Sequence, residues 1–373
     1  HNIFKRFLFS TLITYFSYKN YLKKNKIDLI VMNHGIYSPH GILNEVSKKE
    51  RINIYTWIAA YRRGTFLFSK GDTYHQTMPK ENPKQLNSKI SFIQKLILTH
   101  YMNSKTKGDK DWIFFNRSNK KSNFKNIYKE LLLQKYDYLL LTNVIWDAKS
   151  HYPDNAFESM MDWVLITIDY FIKKNKKLMI RVHPAEKSGA IVSREQVVEQ
   201  IFKKYEHIPQ NIKIFDADSG IDTYKLIKIS KIVLVHSTKA SIEAAYFGKK
   251  VIVAGEAWIK NKGISYDPKN ANEYIKLLND LKPDKLELQR HNLAKRYAYY
   301  FFFEKMIYLE DISHQGIDNK IKFHILNDKK SKNIDHFLSS RFKKIIIMMK
   351  NYNQIIINNH TDYLIKLINF NKN

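Results

Sequence analysis

The sequence predicts an α/β protein with two parallel sheets, one in each half of the chain. Three observations predict it. Short apolar runs bounded by turn residues recur along the chain. They alternate with segments whose apolar residues return at helical spacing. The alternation then starts afresh near Tyr136, after a polar and mainly helical stretch over 88–134. A length of 373 residues exceeds what one hydrophobic core usually serves. Two Rossmann-like domains meeting at a cleft are therefore expected, with C-terminal helices. The expected division is 1–134, 135–312 and a basic helical tail over 313–373.

The elements follow in order. "KIDLIVMNHGIYSPHGILNEVSKK" (26–49) reads as strand, loop and helix: Ile27 to Met32 is a buried-strand run, and Asn33 to Gly41 is punctuated by Gly, Ser and Pro. "RINIYTWIAAYRRGTFLFSKGDTYH" (51–75) supplies another strand and a basic loop. In the second series "YDYLLLTNVIWDA" (136–148) is strand then loop. "FESMMDWVLITIDYFIKKNKK" (157–177) has helical spacing and a basic end, which suits the negative helix C-terminus. "KLMIRVHPAE" (177–186) is a strand, and "SREQVVEQIFKKY" (193–205) is a helix opening on a serine cap. "NIKIFD" (211–216), "IDTYKLIKIS" (221–230) and "KIVLVHS" (231–237) continue the alternation, and "AKRYAYYFFFEKMIYLEDI" (294–312) reads as an aromatic helix.

Composition narrows the function. The formal net charge of +28 attracts anions: nucleic acid, an anionic membrane face, or phosphorylated substrates. No zinc-finger spacing, RNP-type aromatic motif or helix-turn-helix signature accompanies the charge, so no nucleic-acid partner is expected. The absence of cysteine excludes disulfides, cysteine-zinc sites and thiol nucleophiles. No apolar run reaches the roughly 18 residues of a spanning helix. The Lys-, Asn- and Ile-rich residues 328–373 read as an interfacial basic helix or as an ordinary docked one. The chain starts at His1 rather than Met and is expected to be cut from something longer.

In an open parallel sheet, ligands bind beyond the carboxyl ends of the strands. Three sets of residues follow strands. In "RVHPAE", alternation puts Leu178, Ile180 and Val182 on one face and Met179, Arg181 and His183 on the other. Pro184 holds His183 extended, so its imidazole can meet a phosphate; its plainer reading is a loop histidine without a task. In "VHSTKASIEAAYFGKKVIVAG" (235–255), Ser237 and Thr238 sit where a strand hands over to a helix. Their hydroxyls and the free N–H groups of the helix converge, a metal-free phosphate site. Glu243 lies further along and can accept hydrogen bonds from ribose hydroxyls. The plainer reading is an N-cap with an exposed Glu. In "GEAWIKNKGISYDP" (255–268), Trp258 could stack on a base or sugar and Lys262 could pair with a phosphate.

At these residues the sequence resembles the bacterial capsule polysaccharide biosynthesis proteins, a group of GT-B glycosyltransferases that includes Kdo-transferase relatives. "RVHPAE", then "VHSTKASIEAAYFGKKVIVAGEAWIKNKG" some fifty residues later, and "LLLTNVIWDA" (139–148) carry the resemblance, which is best over about 137–310. It implies a GT-B-like fold with a nucleotide sugar held mainly by the C-terminal domain and an acceptor glycan or glycolipid bound by the N-terminal one. By similarity, Arg181, His183 and the Ser237–Thr238 pair face the donor phosphate, and Glu243 faces its ribose. No cofactor or bound metal is implied. The resemblance places the general base in the N-terminal domain, where Asp72 and His75, or His34, His40 and Glu45, are the candidates; Asp72 and His34 are favoured. Arg62 and Arg63 could hold an acidic acceptor, though a solvated basic turn explains them too.

A glycosyltransferase building a capsule or other surface glycan is thus the leading expectation, in the cytoplasm, with peripheral attachment to the cytoplasmic face of the inner membrane as an option. A CDP-polyol phosphotransferase and a non-catalytic glycan- or membrane-binding subunit are the alternatives.

Overall fold

The computed structural model describes residues 2–81, 86, 89–108, 110–111, 124–146, 155–188, 192–283, 287–308, 312–314 and 321–323. The chain divides into two compact units. The larger comprises 1–57, 69–110 and 114–299, and the smaller 58–68, 111–113 and 300–373.

The first half carries α1 (Asn2–Lys24), β1 (Leu29–Asn33), α2 (His40–Lys49), β2 (Asn53–Ala59), β3 (Thr65–Lys70), the short α3 (Tyr74–Thr77), α4 (Phe92–Asn103) and α5 (Lys125–Leu133). The second half carries β4 (Tyr138–Leu141), α6 (Met160–Lys173), β5 (Leu178–Arg181), α7 (Ala185–Ser188), α8 (Val197–Lys204), β6 (Ile212–Phe215), α9 (Thr223–Ile229), β7 (Ile232–Val235), α10 (Ala240–Tyr246), β8 (Lys250–Val253), α11 (Ala271–Asp280) and α12 (Leu288–Tyr299). Three short strands follow: β9 (Ile307–Tyr308), β10 (Ile312–His314) and β11 (Ile321–Phe323).

In the larger unit β1 pairs parallel with β2, Leu29 opposite Asn53 and Asn33 opposite Trp57. The second series forms a five-stranded parallel sheet in the order β6-β5-β4-β7-β8. Its central strands are continuous apolar runs, YLLL in β4 and IVLV in β7, buried along their length. That is what a parallel sheet covered on both faces requires. Leu178 and Ile180 of β5, and Val182 just past its end, pack in one cluster with Trp163 of α6, Val197 of α8 and Tyr274 of α11, as strand alternation predicts. The helices start where side chains can satisfy their first N–H groups. Ser159 Oγ accepts from Asp162 N at 3.1 Å before α6, Asp222 Oδ1 from Tyr224 N at 2.7 Å before α9, and Asn270 Oδ1 from Glu273 N at 3.0 Å before α11.

Three local expectations are corrected. Ser193 does not cap a helix: α8 begins at Val197 after Gln196, and the Ser193 hydroxyl accepts instead from the Trp146 indole N–H at 3.2 Å. The aromatic segment 294–312 is not one helix. The α-helix stops at Tyr299, a π-helical stretch covers Tyr300–Lys305, and β9 follows, pairing antiparallel with β3 in the smaller unit through Phe66 opposite Ile307. The N-terminal half is therefore not purely parallel. Finally, residues 312–323, expected to open a helical tail at 313, contain β10 and β11 paired antiparallel, Ile312 opposite Phe323. Alternation in ISH and IKF suits strands better than helix. The rest of that tail, 331–373 included, lies outside the described residues.

Candidate functional site

The five-stranded sheet has a switch point. From β4 the chain adds β5 and β6 on one side and then returns to place β7 and β8 on the other. The loops leaving β4 and β7 therefore diverge, and a crevice opens beyond their carboxyl ends. Two consecutive residues after β4 organise it. Thr142 Oγ1 accepts the main-chain N–H of His183 at 3.0 Å, and Asn143 Oδ1 accepts the main-chain N–H of Ser237 at 3.3 Å. Sequence reasoning quoted this pair within "LLLTNVIWDA" but did not single it out. His183 and Ser237, from two separate strands, are thus brought together across β4.

His183 is half-buried, and its Nδ1 accepts from the Ala185 N–H at 3.1 Å. That bond puts the ring proton on Nε2. Burial, with the charges of Arg181 and Lys239 nearby, pushes its pKa down from 6.5 to about 4. At neutral pH the ring is a neutral donor, not a cation. Lys239, which sequence reasoning did not select, is a second cation near it beside Arg181. Arg181 is buried and turned to the end of β6, where Nη1 donates to the Asp216 carbonyl at 2.5 Å.

Ser237 is held from three sides. Its hydroxyl accepts the Glu256 N–H at 3.2 Å, which leaves the hydroxyl proton for Nδ1 of His236 at 3.0 Å. His236 is buried, its pKa is pushed down to about 4 by burial and then by Lys260, and its Nε2 has no hydrogen-bond partner among the described residues. The opposite wall is Gly255, where an added Cβ would lie 2.6 Å from both His236 Nδ1 and Ser237 Oγ. Only glycine lets these loops approach. Asn143 and His236 also line a cavity of 190 Å³ that reaches Ser159 and Met160 at the start of α6. Thr238 Oγ1 accepts from Ala240 N at 3.3 Å, a short hydroxyl turn before α10.

Glu243 is fully buried rather than exposed. Its Oε1 receives Lys239 Nζ at 2.7 Å, Tyr224 OH at 3.3 Å and Lys105 Nζ at 3.4 Å. Lys105 is itself buried, bonded to Tyr101 OH at 2.6 Å and lying over that ring. Glu243 therefore sits inside an ion cluster that fixes Lys239 near the site. Glu186, the last residue of "RVHPAE", is buried too; both carboxylate oxygens accept from Val197 N at the start of α8, and burial pushes its pKa up to about 7.

Trp258 and Lys262 lie elsewhere. Lys262 is buried; its Nζ donates to the Met78 carbonyl at 3.0 Å and lies over the Tyr297 ring, and burial pushes its pKa down to about 8. Trp258 stacks on Tyr74, ring centroids 5.4 Å apart and planes 7° from parallel. That stack reaches the loops that carry the base candidates. Tyr74 is 6.0 Å from the His34 ring and 3.9 Å from the His75 ring. His34 stands at φ 56°, in the left-handed region, and Gly35 at 73°. An added Cβ on Gly35 would meet Thr56 Cγ2 at 2.9 Å, so the turn is built around that glycine. Burial, then His40, lowers the His34 pKa, and Nδ1 has no hydrogen-bond partner among the described residues. Asp72 accepts from Thr73 N at 2.7 Å, Asn44 Nδ2 at 3.1 Å and Lys48 Nζ at 3.1 Å. Burial would raise its pKa, but these three donors outweigh it and the carboxyl is held below its usual range.

Arg62 and Arg63 belong to the smaller unit. Arg62 is buried, donating from Nε to the Phe302 carbonyl at 3.0 Å and lying 5.0 Å over the Phe303 ring; Arg63 Nε donates to the Asp111 carbonyl at 3.2 Å. Arg62 is a packed arginine, whereas Arg63 is exposed, as a solvated basic turn has it. Among the described residues no group of three or more His, Asp or Glu is placed to hold a metal ion.

Among solved structures the fold is similar to Thermosulfurimonas dismutans KpsC, beta Kdo 2,4 transferase, at 10% identity and a TM-score of 0.46, over 79% of this chain and 83% of that one. It is also similar to the beta Kdo 2,7 transferase of the same KpsC, at 12% identity and a TM-score of 0.43, over 84% and 89%. A further similar structure is the S. aureus MnaA-UDP complex, at 14% identity and a TM-score of 0.34, over 76% and 73%. No curated protein matches the sequence. A family model described as capsule polysaccharide biosynthesis protein matches residues 19–302, most of the chain. With the α/β architecture and the switch-point residues falling within that match, the chain belongs to the capsule polysaccharide biosynthesis protein family.

Proposed function

We propose that the protein is a GT-B-type glycosyltransferase that moves a sugar from a nucleotide-activated donor to a growing capsule or surface polysaccharide, without a metal ion. One observation carries the reading. His183, Ser237 and, through Glu243, Lys239 are gathered at the carboxyl-end switch point of a parallel sheet, the place where such sheets bind phosphorylated ligands.

In this reading the donor's phosphoryl oxygens lie beyond β4 and β7. Neutral His183 donates from Nε2, Lys239 supplies the positive charge, and Thr238 offers a hydroxyl. Ser237, Asn143 and Arg181 hold the loops, and Glu243 holds Lys239. The acceptor hydroxyl oxygen attacks the anomeric carbon as the bond to the phosphate oxygen breaks; the electron pair leaves with the nucleotide, and the hydroxyl proton passes to a base. His34 is the favoured base, because its pKa is lowered and its Nδ1 has no hydrogen-bond partner among the described residues, whereas three donors already engage Asp72. Asp72 then serves to fix the loop. The net charge of +28 favours anionic donors and glycans. Sugar nucleotides are cytoplasmic metabolites, so the reaction is proposed for the cytoplasmic side.

The test is turnover of a panel of nucleotide sugars with a glycan acceptor, following nucleotide release and acceptor mass. Sugar addition with released nucleotide, lost in His183→Ala, supports the reading. Formation of a phosphodiester points to the polyol-phosphate transferase instead. Donor binding without turnover points to a non-catalytic subunit.

A further inference from the structure

The helix α1 leaves most of its apolar side chains exposed. Over its 23 residues it meets the protein mainly through Tyr18, Leu22 and a few hydroxyl groups. Tyr18 is its single buried residue, bonded through its hydroxyl to Ser47 Oγ of α2 at 2.9 Å. Thr11, Thr14 and Leu22 are half-buried beside it, Lys19 pairs with Glu50 at 2.7 Å, and Ser10 Oγ bonds to Ser38 Oγ at 3.3 Å. At about 3.6 residues per turn, Thr11, Tyr18 and Leu22 fall on one face. Phe9, Leu12, Ile13 and Phe16 fall across the helix from them. These four are 66%, 44%, 51% and 58% exposed.

A surface helix of a globular protein turns its apolar stripe inward. Here most large apolar side chains stay exposed: Phe9, Leu12, Ile13 and Phe16 on the outer face, and Phe4 and Phe7, at the start of the helix, even on the side of Tyr18, so the outer stripe lacks a partner within the described chain. Its charges say what kind of partner fits. Lys5 and Arg6 precede the stripe on the outer face, and Lys23 and Lys24 follow it. No Asp or Glu occurs before Asp28. An apolar stripe two turns long, flanked at both ends by cations and free of acids, matches the boundary between anionic headgroups and acyl chains. A second copy of the same face would set cation against cation. The helix is not apolar enough to span, for no described helix is.

We propose that α1 lies flat in an anionic lipid surface, with Phe9, Leu12, Ile13 and Phe16 in the acyl boundary and Lys5, Arg6, Lys23 and Lys24 at the headgroups. The anchor is then within the first helix of the described chain. It would hold the protein where a lipid-linked or membrane-emerging glycan is found. The proposal does not depend on the transferase reading, and its readout involves no turnover.

The experiment is co-sedimentation of the full chain with vesicles of phosphatidylglycerol and phosphatidylethanolamine, against vesicles of phosphatidylcholine. Wild type should pellet with the anionic vesicles, less so in high salt. The double variant L12E/F16E should lose at least about tenfold in partitioning, since burial of each such side chain is strongly favourable. Its melting temperature should stay near wild type, because both positions face away from α2. K5Q/R6Q/K23Q/K24Q should retain the fold and lose the preference for anionic vesicles. Unchanged partitioning of L12E/F16E would overturn the proposal by showing the contact to be elsewhere. Wild type that stays in the supernatant but sediments as a dimer, with L12E/F16E monomeric, would assign the stripe to a second copy and overturn it as well.

Discussion

Ser237 N donates to Asn143 Oδ1 at 3.3 Å, joining the loop after β7 to the loop after β4 across the switch point of the sheet. The neighbouring Thr142 does the same for His183 on the other side. One dipeptide therefore sets the spacing of both loops.

Asn143→Ala should remove one restraint on Ser237 and leave its N–H without that partner. We expect donor affinity to fall by about tenfold, the equivalent of one net hydrogen bond, with the melting temperature within a few degrees of wild type. Calorimetric titration with the donor's nucleotide and a thermal melt measure the two quantities. A large melting shift with unchanged affinity would make Asn143 a packing residue only.

The acid limb of kcat/KM should lie below pH 6.5. His34, the proposed base, has a pKa below that ordinary value, and His183 stays neutral down to about 4. His183 acts as a donor through Nε2–H, so it contributes no limb between pH 7.5 and 5. A limb centred at or above 6.5 that disappears in His34→Ala would show His34 to be more basic than its surroundings imply. A limb in that window that moves in His183→Gln would show His183 to work as a cation.

Stability should decline as pH falls from about 6.5 towards 4. His183 and His236 both titrate near 4 when folded and near 6.5 when unfolded. The unfolded chain binds their protons first, so acid favours unfolding, by up to about 1.4 kcal/mol per pH unit for each histidine. Glu186 acts with the opposite sign. Its folded pKa of about 7 exceeds the ordinary 4.5, so it favours the folded state at the acid end of that range and loses this as pH rises. Two histidines outweigh one glutamate. Urea unfolding at pH 7.5, 6 and 5 should show the decline. Glu186→Gln should steepen it, and His236→Asn should flatten it; identical slopes in all three proteins would exclude these groups.

Glu243→Ala should act first on stability. It leaves Lys105 buried without its carboxylate, the arrangement for which breaking a buried pair costs about 3–5 kcal/mol. Donor binding falls as a consequence, through Lys239. Lys239→Met separates the effects: it should weaken nucleotide binding while shifting the melting point far less than Glu243→Ala does. Equal melting shifts would mean that Lys239 matters mainly to the cluster.

The second sheet was legible because its central strands β4 and β7 are buried on both faces and so read as unbroken apolar runs, and because Pro184 and Gly255 stand just past the ends of β5 and β8. The positions of His183, Ser237 and Thr238 beyond strand ends followed from that alone. What held them there did not. Thr142 and Asn143 are ordinary loop residues in one dimension and gain meaning only when three strands lie side by side. Lys105 reads as one of many lysines, and its pairing with Glu243 joins segments far apart in the chain. Trp258 looked free to stack on a ligand because Tyr74, which it stacks on, comes from the other half of the sequence. The first helix went unread for a different reason: periodicity arguments assume that apolar residues face inward, and in α1 most of them stay exposed.

The Lys105–Glu243 pair has a kinetic consequence. It joins the short 3-10 turn Ser104–Thr106 that follows α4, in the first half of the chain, to α10, in the second, so it closes only when both have reached their final places. Contacts of such high sequence separation are costly in loop entropy, and a buried ion pair becomes favourable only once its final, desolvated geometry is reached, late in folding. The charges at its centre then act chiefly as a brake on unfolding, and the lifetime of the native state depends on them more than the speed of its formation does.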